Sequence, residues 1–422
     1  MDPRTAQAHR VKLPRRAARP ALRIARQHGT DDGNLLVHGD NLAALAALAP
    51  SFAGKIRCVY LDPPFNTGRS FAEYKDSLGT DEWVQMMRPR LEAIAPLLAD
   101  DGAVFAEIDD TSLAHLALLM DDVFGAKNRI STITVVRSAT TGHKAINAGP
   151  VHVSDFILAY AKDKKKWRYR PQVRTRDGLD PAYGTWLDDP EAPHARWTFR
   201  SLRAAIADQL GYASPREAIV GIGKAAFARG LVDRTLASAR HVVRFAQPRY
   251  EAISRAAQAI VDRSRAAPSK VFVLEREGRS PFIVRGGNRI LFLGDKVRVV
   301  AGRPAIVEPL TNVWTDVPFQ GIAREGGVVF TRNKKPERLV ARVLAMATDP
   351  GDWVLDPFLG SGTTAAVAHK MGRRWVGIES GDHLMTLAEP RIARVIAGED
   401  STGITAETGF GGGGGFSVAE IG

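Results

Sequence analysis

The chain of 422 residues holds a single cysteine, Cys58. An intrachain disulfide is therefore impossible, which suits a reducing, cytoplasmic setting. Cysteines and histidines do not gather at metal-ligand spacing, so no metal site is expected. No apolar run has the length of a bilayer span and no signal peptide is recognisable, so a membrane partner is not expected either. Acidic residues are outnumbered, 46 against 58 lysines and arginines, and the net charge of +12 favours a polyanionic partner such as nucleic acid. With 45% hydrophobic residues the chain is globular, and its length allows two or three domains.

Among the residues present, Asp62-Pro63-Pro64-Phe65 organises the rest, followed by Asn66-Thr67-Gly68. The segment before it, 56–61, is largely apolar and β-branched and reads as a buried parallel strand. Two prolines can neither extend a ladder nor enter a helix interior, so that strand ends at Asp62. A carboxylate then stands at the carboxyl end of a strand, where open α/β sheets bind ligands. Pro64 has no N–H and holds Pro63 extended, which fixes the direction of the local carbonyls. Together with the ring of Phe65, these acceptors suit an exocyclic amine on a flat heterocycle. A simple strand-ending turn would use the same residue types; a second motif downstream weighs against that reading.

Residues 1–33 are rich in arginine and read as a flexible basic arm. Residues 35–38 form a short strand ending in Gly39-Asp40-Asn41, with Asn41 expected to cap the next helix. Asp40 and Asp62 should then share one sheet edge. Strand and helix patterns alternate through 80–98, 103–108, 112–124, 130–136 and 155–161, which argues for a mainly parallel α/β sheet. Residues 138–150 are polar and read as a loop. From Lys162 to Arg176, eight basic residues interleave with Trp167 and Tyr169, a pattern suited to a phosphate backbone and a stacked base. From there to about Leu310 the βαβ pattern is lost. Helices are expected at 201–210, 215–229 and 250–265, with short strands after them, in an inserted, mixed α/β domain.

After Asn312-Val313-Trp314-Thr315-Asp316 the core pattern returns. Lys334-Lys335-Pro336-Glu337 opens a strong helix, and Trp353-Val354-Leu355 reads as a strand. Asp356-Pro357-Phe358-Leu359-Gly360-Ser361-Gly362-Thr363-Thr364 is a glycine-rich turn into a helix. The glycines allow close approach of backbone to a ligand. The lysine of a phosphate P-loop is missing, and Ala365 only weakly completes a dinucleotide fingerprint. The next strand, 375–379, ends in Glu379, an acid suited to a ribose diol. Asp356, two glycines and Glu379 thus describe a nucleoside site with little demand for phosphate. The segment 401–422, with glycines from 411 to 415, reads as a flexible or tightly turned tail.

From Asn34 onward the chain resembles the S-adenosylmethionine-dependent DNA amino-methyltransferases of the permuted β-class, and above all the modification subunits of type III restriction-modification systems. The resemblance rests on the segments 34–41, 62–68, 312–316, 335–337 and 356–364. It implies a Rossmann-like methyltransferase core with circularly permuted motif order, in two parts (34–161 and 311–400) around a target recognition domain (162–310). It implies that Asp62, Pro63, Pro64 and Phe65 hold a flipped base. Asp356, Phe358, Gly360 and Gly362 would form the cofactor loop, Glu379 would bind ribose, and Asp40 would lie near the cofactor adenine. Lys335 would flank the methionine part. Phe65 departs from the commoner tyrosine, keeping a ring without its hydroxyl. The implied reaction is direct methyl transfer from S-adenosylmethionine to adenine N6 in double-stranded DNA. Asp62 favours adenine, since the N4-cytosine enzymes usually carry serine there; N4-cytosine methylation and a silent DNA-binding protein are the alternatives. Implied partners are a restriction subunit or a second copy of the chain.

Overall fold

The computed structural model describes residues 20–66, 69–70, 75–76, 78–138, 150–300, 302–329 and 334–422. It comprises two units. The first is drawn from both ends of the chain, up to Gln172 and from Thr311 onward, and the second is Val173–Leu310. The polar stretch 138–150 falls almost wholly outside the described residues, as do residues 1–19 of the basic arm.

The first unit is built on one ten-stranded sheet. Its strands are β1 (Leu22–Gly29), β2 (Leu35–His38), β3 (Ile56–Leu61), β4 (Leu98–Ile108), β5 (Arg129–Val136), β6 (Ser154–Ala161), β7 (Val313–Trp314), β8 (Trp353–Asp356), β9 (Arg374–Glu379) and β10 (Gly415–Ile421). They lie in the order β1-β10-β2-β9-β8-β3-β4-β6-β5-β7. The run β10-β2-β9-β8-β3-β4 is parallel throughout; β1 and β6 run against it, and β5, antiparallel to β6, resumes its direction with β7 parallel beside it. The central strands are buried on both faces, which is why their sequences are nearly continuous apolar runs.

The helices are α1 (Asn41–Phe52), α2 (Thr80–Ile94), α3 (Asp110–Met120), α4 (Glu337–Ala347), α5 (Thr363–Lys370) and α6 (Glu389–Ile396). Trp83, Met87, Leu91 and Ile94 recur at helical spacing on α2 and are buried against the sheet. Asp40, not Asn41, caps α1: its Oδ1 accepts from the Ala43 N–H at 3.1 Å. The side chain of Asn41 is instead drawn away to the Pro357 carbonyl at 2.8 Å.

Three readings from composition are corrected. Residues 22–29 are not a flexible arm but an edge strand, and the glycine-rich tail ends in a strand inserted between β1 and β2. Glycines there are a packing requirement. A Cβ on Gly415 would meet the Thr30 carbonyl oxygen at 2.1 Å. The basic run from Lys162 is also divided between the units. In the first, Lys166 pairs with Asp100 at 2.8 Å, and Arg170 donates to Asp349 at 2.8 Å. Trp167 leans on Phe105. These side chains are engaged within the unit rather than presented as one surface.

The second unit has a six-stranded antiparallel sheet, running from Phe199–Ser201 through Thr185–Leu187, Val242–Ala246, Asn288–Phe292 and Arg279–Arg285 to Val271–Arg276. A three-stranded sheet and the helices Leu202–Gln209, Pro215–Ile222, Lys224–Ala237 and Arg255–Ala266 complete it. The helix expected to run through 229 breaks at Gly223, whose φ of 84° ends one helix and starts another.

Candidate active site

Because β2, β9, β8, β3 and β4 are parallel neighbours, their carboxyl ends share one edge of the sheet. The turns beyond four of them, starting at Gly39, Ser380, Pro357 and Asp62, enclose a cavity of about 220 Å³. Local sequence puts an acid at or near each strand end, and parallel pairing brings those acids together.

Beyond β3 the chain is held by its own carbonyls. Trp83 on α2 donates its indole N–H to the Pro64 carbonyl at 2.7 Å, and the Ser112 hydroxyl on α3 donates to that of Phe65 at 2.9 Å. Asn66, at φ 60°, then turns the chain away. With these two carbonyls engaged, Asp62 and Pro63 line the cavity, and Phe65 lines it next to them.

The Lys335 ammonium lies 3.1 Å from Asp62 Oδ1, 3.0 Å from Glu107 Oε1, and 4.5 Å from the centre of the Phe65 ring. Glu107, on β4, is fully buried and also accepts from the Tyr60 hydroxyl. Burial pushes the Asp62 carboxyl up, against the pull of Lys335 and with the help of the Glu107 charge. Burial would lower Lys335, yet Asp62, Glu107 and Asp155 together hold it above its ordinary value. Cys58, inside β3, is buried and its thiol is pushed well up, so it offers no thiolate.

The glycine-rich turn after β8 is organised from within. Asp356 is buried and accepts from the Phe358 N–H at 2.9 Å, and burial pushes it up to about 7 despite that bond and one from Thr364. Gly360 (φ 55°) faces open space, while Gly362 (φ 81°) caps α5 where a Cβ would stand 3.2 Å from Ala388 Cβ. Glu379 receives the N–H groups of Gly360, Ser380 and Gly381, each at 2.9 Å, and His383 lies 3.3 Å away. Burial would raise this carboxyl, but the His383 contact and the N–H donors hold it below the usual range. Beneath the turn, fully buried Arg391 on α6 donates to Thr363 Oγ1 at 2.8 Å and to Glu337 at 2.9 Å. Lys370 closes this network by pairing with Glu337 and Asp400, each at 2.8 Å.

Of the eleven residues singled out from the sequence, eight line the cavity: Asp40, Asp62, Pro63, Pro64, Phe65, Phe358, Gly360 and Glu379. Asp356 and Gly362 shape the turn from behind it. Lys335 reaches Asp62 rather than the cavity wall. Asn41, Met86, Arg90, Pro357, Ser380 and His383 also line it. Arg90 donates to Asp40 Oδ2 at 2.9 Å and to Asn41 Oδ1 at 2.5 Å. Its only signal in the sequence is a cation one turn after Met86 on a helix that otherwise buries apolar residues.

The family model described as "DNA methylase", covering N6 and N4 enzymes, matches residues 56–390. The chain is 29% identical over 413 residues to a protein of Haemophilus influenzae named as the probable type III restriction-modification enzyme HindVI Mod subunit. That alignment covers 93% of this chain and 54% of the Haemophilus protein, so the chain spans about half the length of that relative. It is 25% identical over 356 residues to the type II methyltransferase M.EcaI of Enterobacter cloacae, covering 82% of this chain and 66% of that protein. Among solved structures, TTHA0409 of Thermus thermophilus in complex with S-adenosyl-L-methionine aligns over 91% of this chain and 99% of its own, with 14% identity and a TM-score of 0.40. With the family model matching most of its length, from β3 to α6, this chain belongs to the N6/N4 DNA methylase family.

Proposed function

We propose that the chain transfers a methyl group from S-adenosylmethionine to N6 of adenine in DNA, as the modification component of a restriction-modification system. One observation carries the reading: the Asp62–Phe65 turn and the glycine-rich turn with Glu379 line the same cavity. One half of that cavity suits an amine on a flat ring, and the other a nucleoside. The names of the Haemophilus and Enterobacter relatives support the restriction-modification setting.

The residues present fit the cofactor. Gly360 offers open backbone, Glu379 is an anionic acceptor for ribose hydroxyls, Phe358 supplies a ring, and Asp40 an acceptor for an adenine amine. S-adenosylmethionine, when bound, would supply a sulfonium methyl group to an amine nitrogen, the C–S bond breaking to leave a neutral thioether and the methylated nitrogen then releasing one proton. The base must leave the duplex to reach this edge of the sheet. Phe65 then stacks on it, while the Asp62 carboxylate and the Pro63 carbonyl accept its two amine hydrogens. These acceptors aim the nitrogen lone pair and stabilise the positive charge that grows on nitrogen, so the chain contributes orientation and electrostatics. Cys58 is buried inside β3, away from the cavity lining, which disfavours attack through a cysteine at a pyrimidine carbon. The second unit is proposed to read the target sequence, and a restriction subunit to supply cleavage.

The test is mass spectrometry of nucleosides from unmethylated DNA incubated with the protein and isotopically labelled S-adenosylmethionine. Labelled N6-methyladenine is expected. Labelled N4-methylcytosine would overturn the base assignment, and absence of label with cofactor bound would overturn the reaction for this chain acting alone on DNA.

A further inference from the structure

We infer that Lys335 is a positioning residue for the Asp62 carboxylate, anchored from behind by the buried Glu107, and not a contact for the cofactor. The inference rests on the reading of Asp62 as acceptor of the amine hydrogens and adds to it what keeps that acceptor in place.

The geometry is that of a cation between two acids. Lys335 is 7% exposed and bridges Asp62 Oδ1 and Glu107 Oε1 at nearly equal distances. The other Glu107 oxygen accepts from Tyr60, so both oxygens of Glu107 are engaged and the carboxylate is fixed behind Lys335. Two carboxylates close together in a buried site cannot both ionise without a cation between them. Unopposed, one of them would take a proton. If that were Asp62, it would gain an O–H donor and lose acceptor capacity toward an amine. Lys335 opposes this and also pins Oδ1, which leaves Oδ2 to meet the base. Its ammonium lies over the Phe65 ring as well, which ties the stacking surface to the same charge. The groups facing Asp62 are Lys335 from the segment before α4, Tyr60 on β3, Glu107 on β4 and Asp356 on β8. Asp155 on β6, paired with Arg137 at 2.8 Å, acts on Lys335 from the far side.

The experiment is the pH dependence of kcat/KM for DNA methylation, measured with the full chain and its Lys335→Met, Lys335→Arg and Glu107→Gln variants. Affinity for S-adenosylmethionine is measured on the same samples by calorimetry. Lys335→Met should move the acidic limb to higher pH by about one unit or more, lowering kcat/KM at neutral pH by roughly tenfold, with cofactor affinity changed less than about threefold. Glu107→Gln removes a repelling charge and leaves Lys335 wholly to Asp62, so it should move the limb the opposite way. Lys335→Arg keeps the charge and should keep the limb. A merely structural Lys335 would lower activity in both neutral variants and move neither limb. A cofactor contact would weaken S-adenosylmethionine binding tenfold or more; either result overturns the inference. Should Lys335→Met fail to fold, the Lys335→Met/Glu107→Gln double variant removes both buried charges, and its limb should still lie above that of Glu107→Gln. Asp62→Ala separates the two readings: if it stays active, the role of Asp62 fails, whereas an inactive Asp62→Ala with an unmoved limb in Lys335→Met sinks only the role of Lys335.

Discussion

Replacing Asp62 by alanine removes the side-chain acceptor from the Asp62–Phe65 turn while leaving its frame intact. That frame is held by Trp83 and Ser112 through the carbonyls of Pro64 and Phe65, neither of which involves the Asp62 side chain. Removing a preorganised partner of developing charge typically costs 10²–10³ in kcat, about 2.7–4 kcal/mol. The same loss is expected here, because the carboxylate meets the amine where positive charge grows. Stability should behave differently. Lys335 keeps Glu107 as its partner, so no buried charge is stranded. The Asp62 side chain is 23% exposed, so truncation opens onto the cavity rather than sealing a void. Its carboxyl is also held at a cost, pushed up by burial and by Glu107. Asp62→Ala is therefore expected to lose two to three orders of magnitude in methyl transfer while its thermal midpoint stays level or rises. Filter-bound transfer of labelled methyl groups reads the first, calorimetric unfolding the second, and titration with S-adenosylmethionine should show affinity within a few fold of the parent. A variant with near-parental turnover would refute the role of Asp62. One that is inactive but markedly less stable would show instead that the carboxylate supports the fold.

Glu379→Ala should weaken S-adenosylmethionine binding by about tenfold or more, since it strips the acceptor from three backbone N–H groups as well as from the ribose; unchanged calorimetric affinity would remove Glu379 from the cofactor site. Lys370→Met leaves Glu337 and Asp400 buried with one cation fewer and should destabilise the chain by about 3–5 kcal/mol in urea unfolding; a loss below about 1 kcal/mol would show that Arg391 alone neutralises Glu337. Stability should also fall as pH rises. Asp356, pushed by burial from an ordinary 3.8 to about 7, takes up a proton on folding, so its contribution is complete below 3.8 and is lost as pH rises through 7. Glu379 and Asp400, held low, act oppositely and lose theirs as pH falls through the ordinary carboxylate range. The unfolding midpoint should therefore be higher near pH 6 than near pH 8, and the Asp356→Asn variant should flatten that slope.

Much of the site was legible because its chemistry is local. A largely apolar strand stopped by two prolines announces a strand end at Asp62, and a glycine-rich turn into a helix announces another at Asp356, with no knowledge of what lies across the sheet. Parallel order then follows from the alternation of strand and helix. Residues whose role depends on a distant partner were not legible in that way. Glu107 sits inside an apolar strand and shows its purpose only when Lys335, 228 residues later, is brought against it. Arg90 reads as an ordinary surface cation of a helix until packing places it on Asp40. The glycine-rich tail looked flexible because glycine loses most backbone entropy on ordering. What orders it is a slot between β1 and β2, two strands formed by the other end of the chain. By itself, then, the sequence determined where each strand stops and which acid stands there, since steric rules at proline and glycine act over a few residues. Only the tertiary structure decided which buried acid shares a cation with which, because that choice is made by charges that must be paired once water is gone, whatever their separation along the chain.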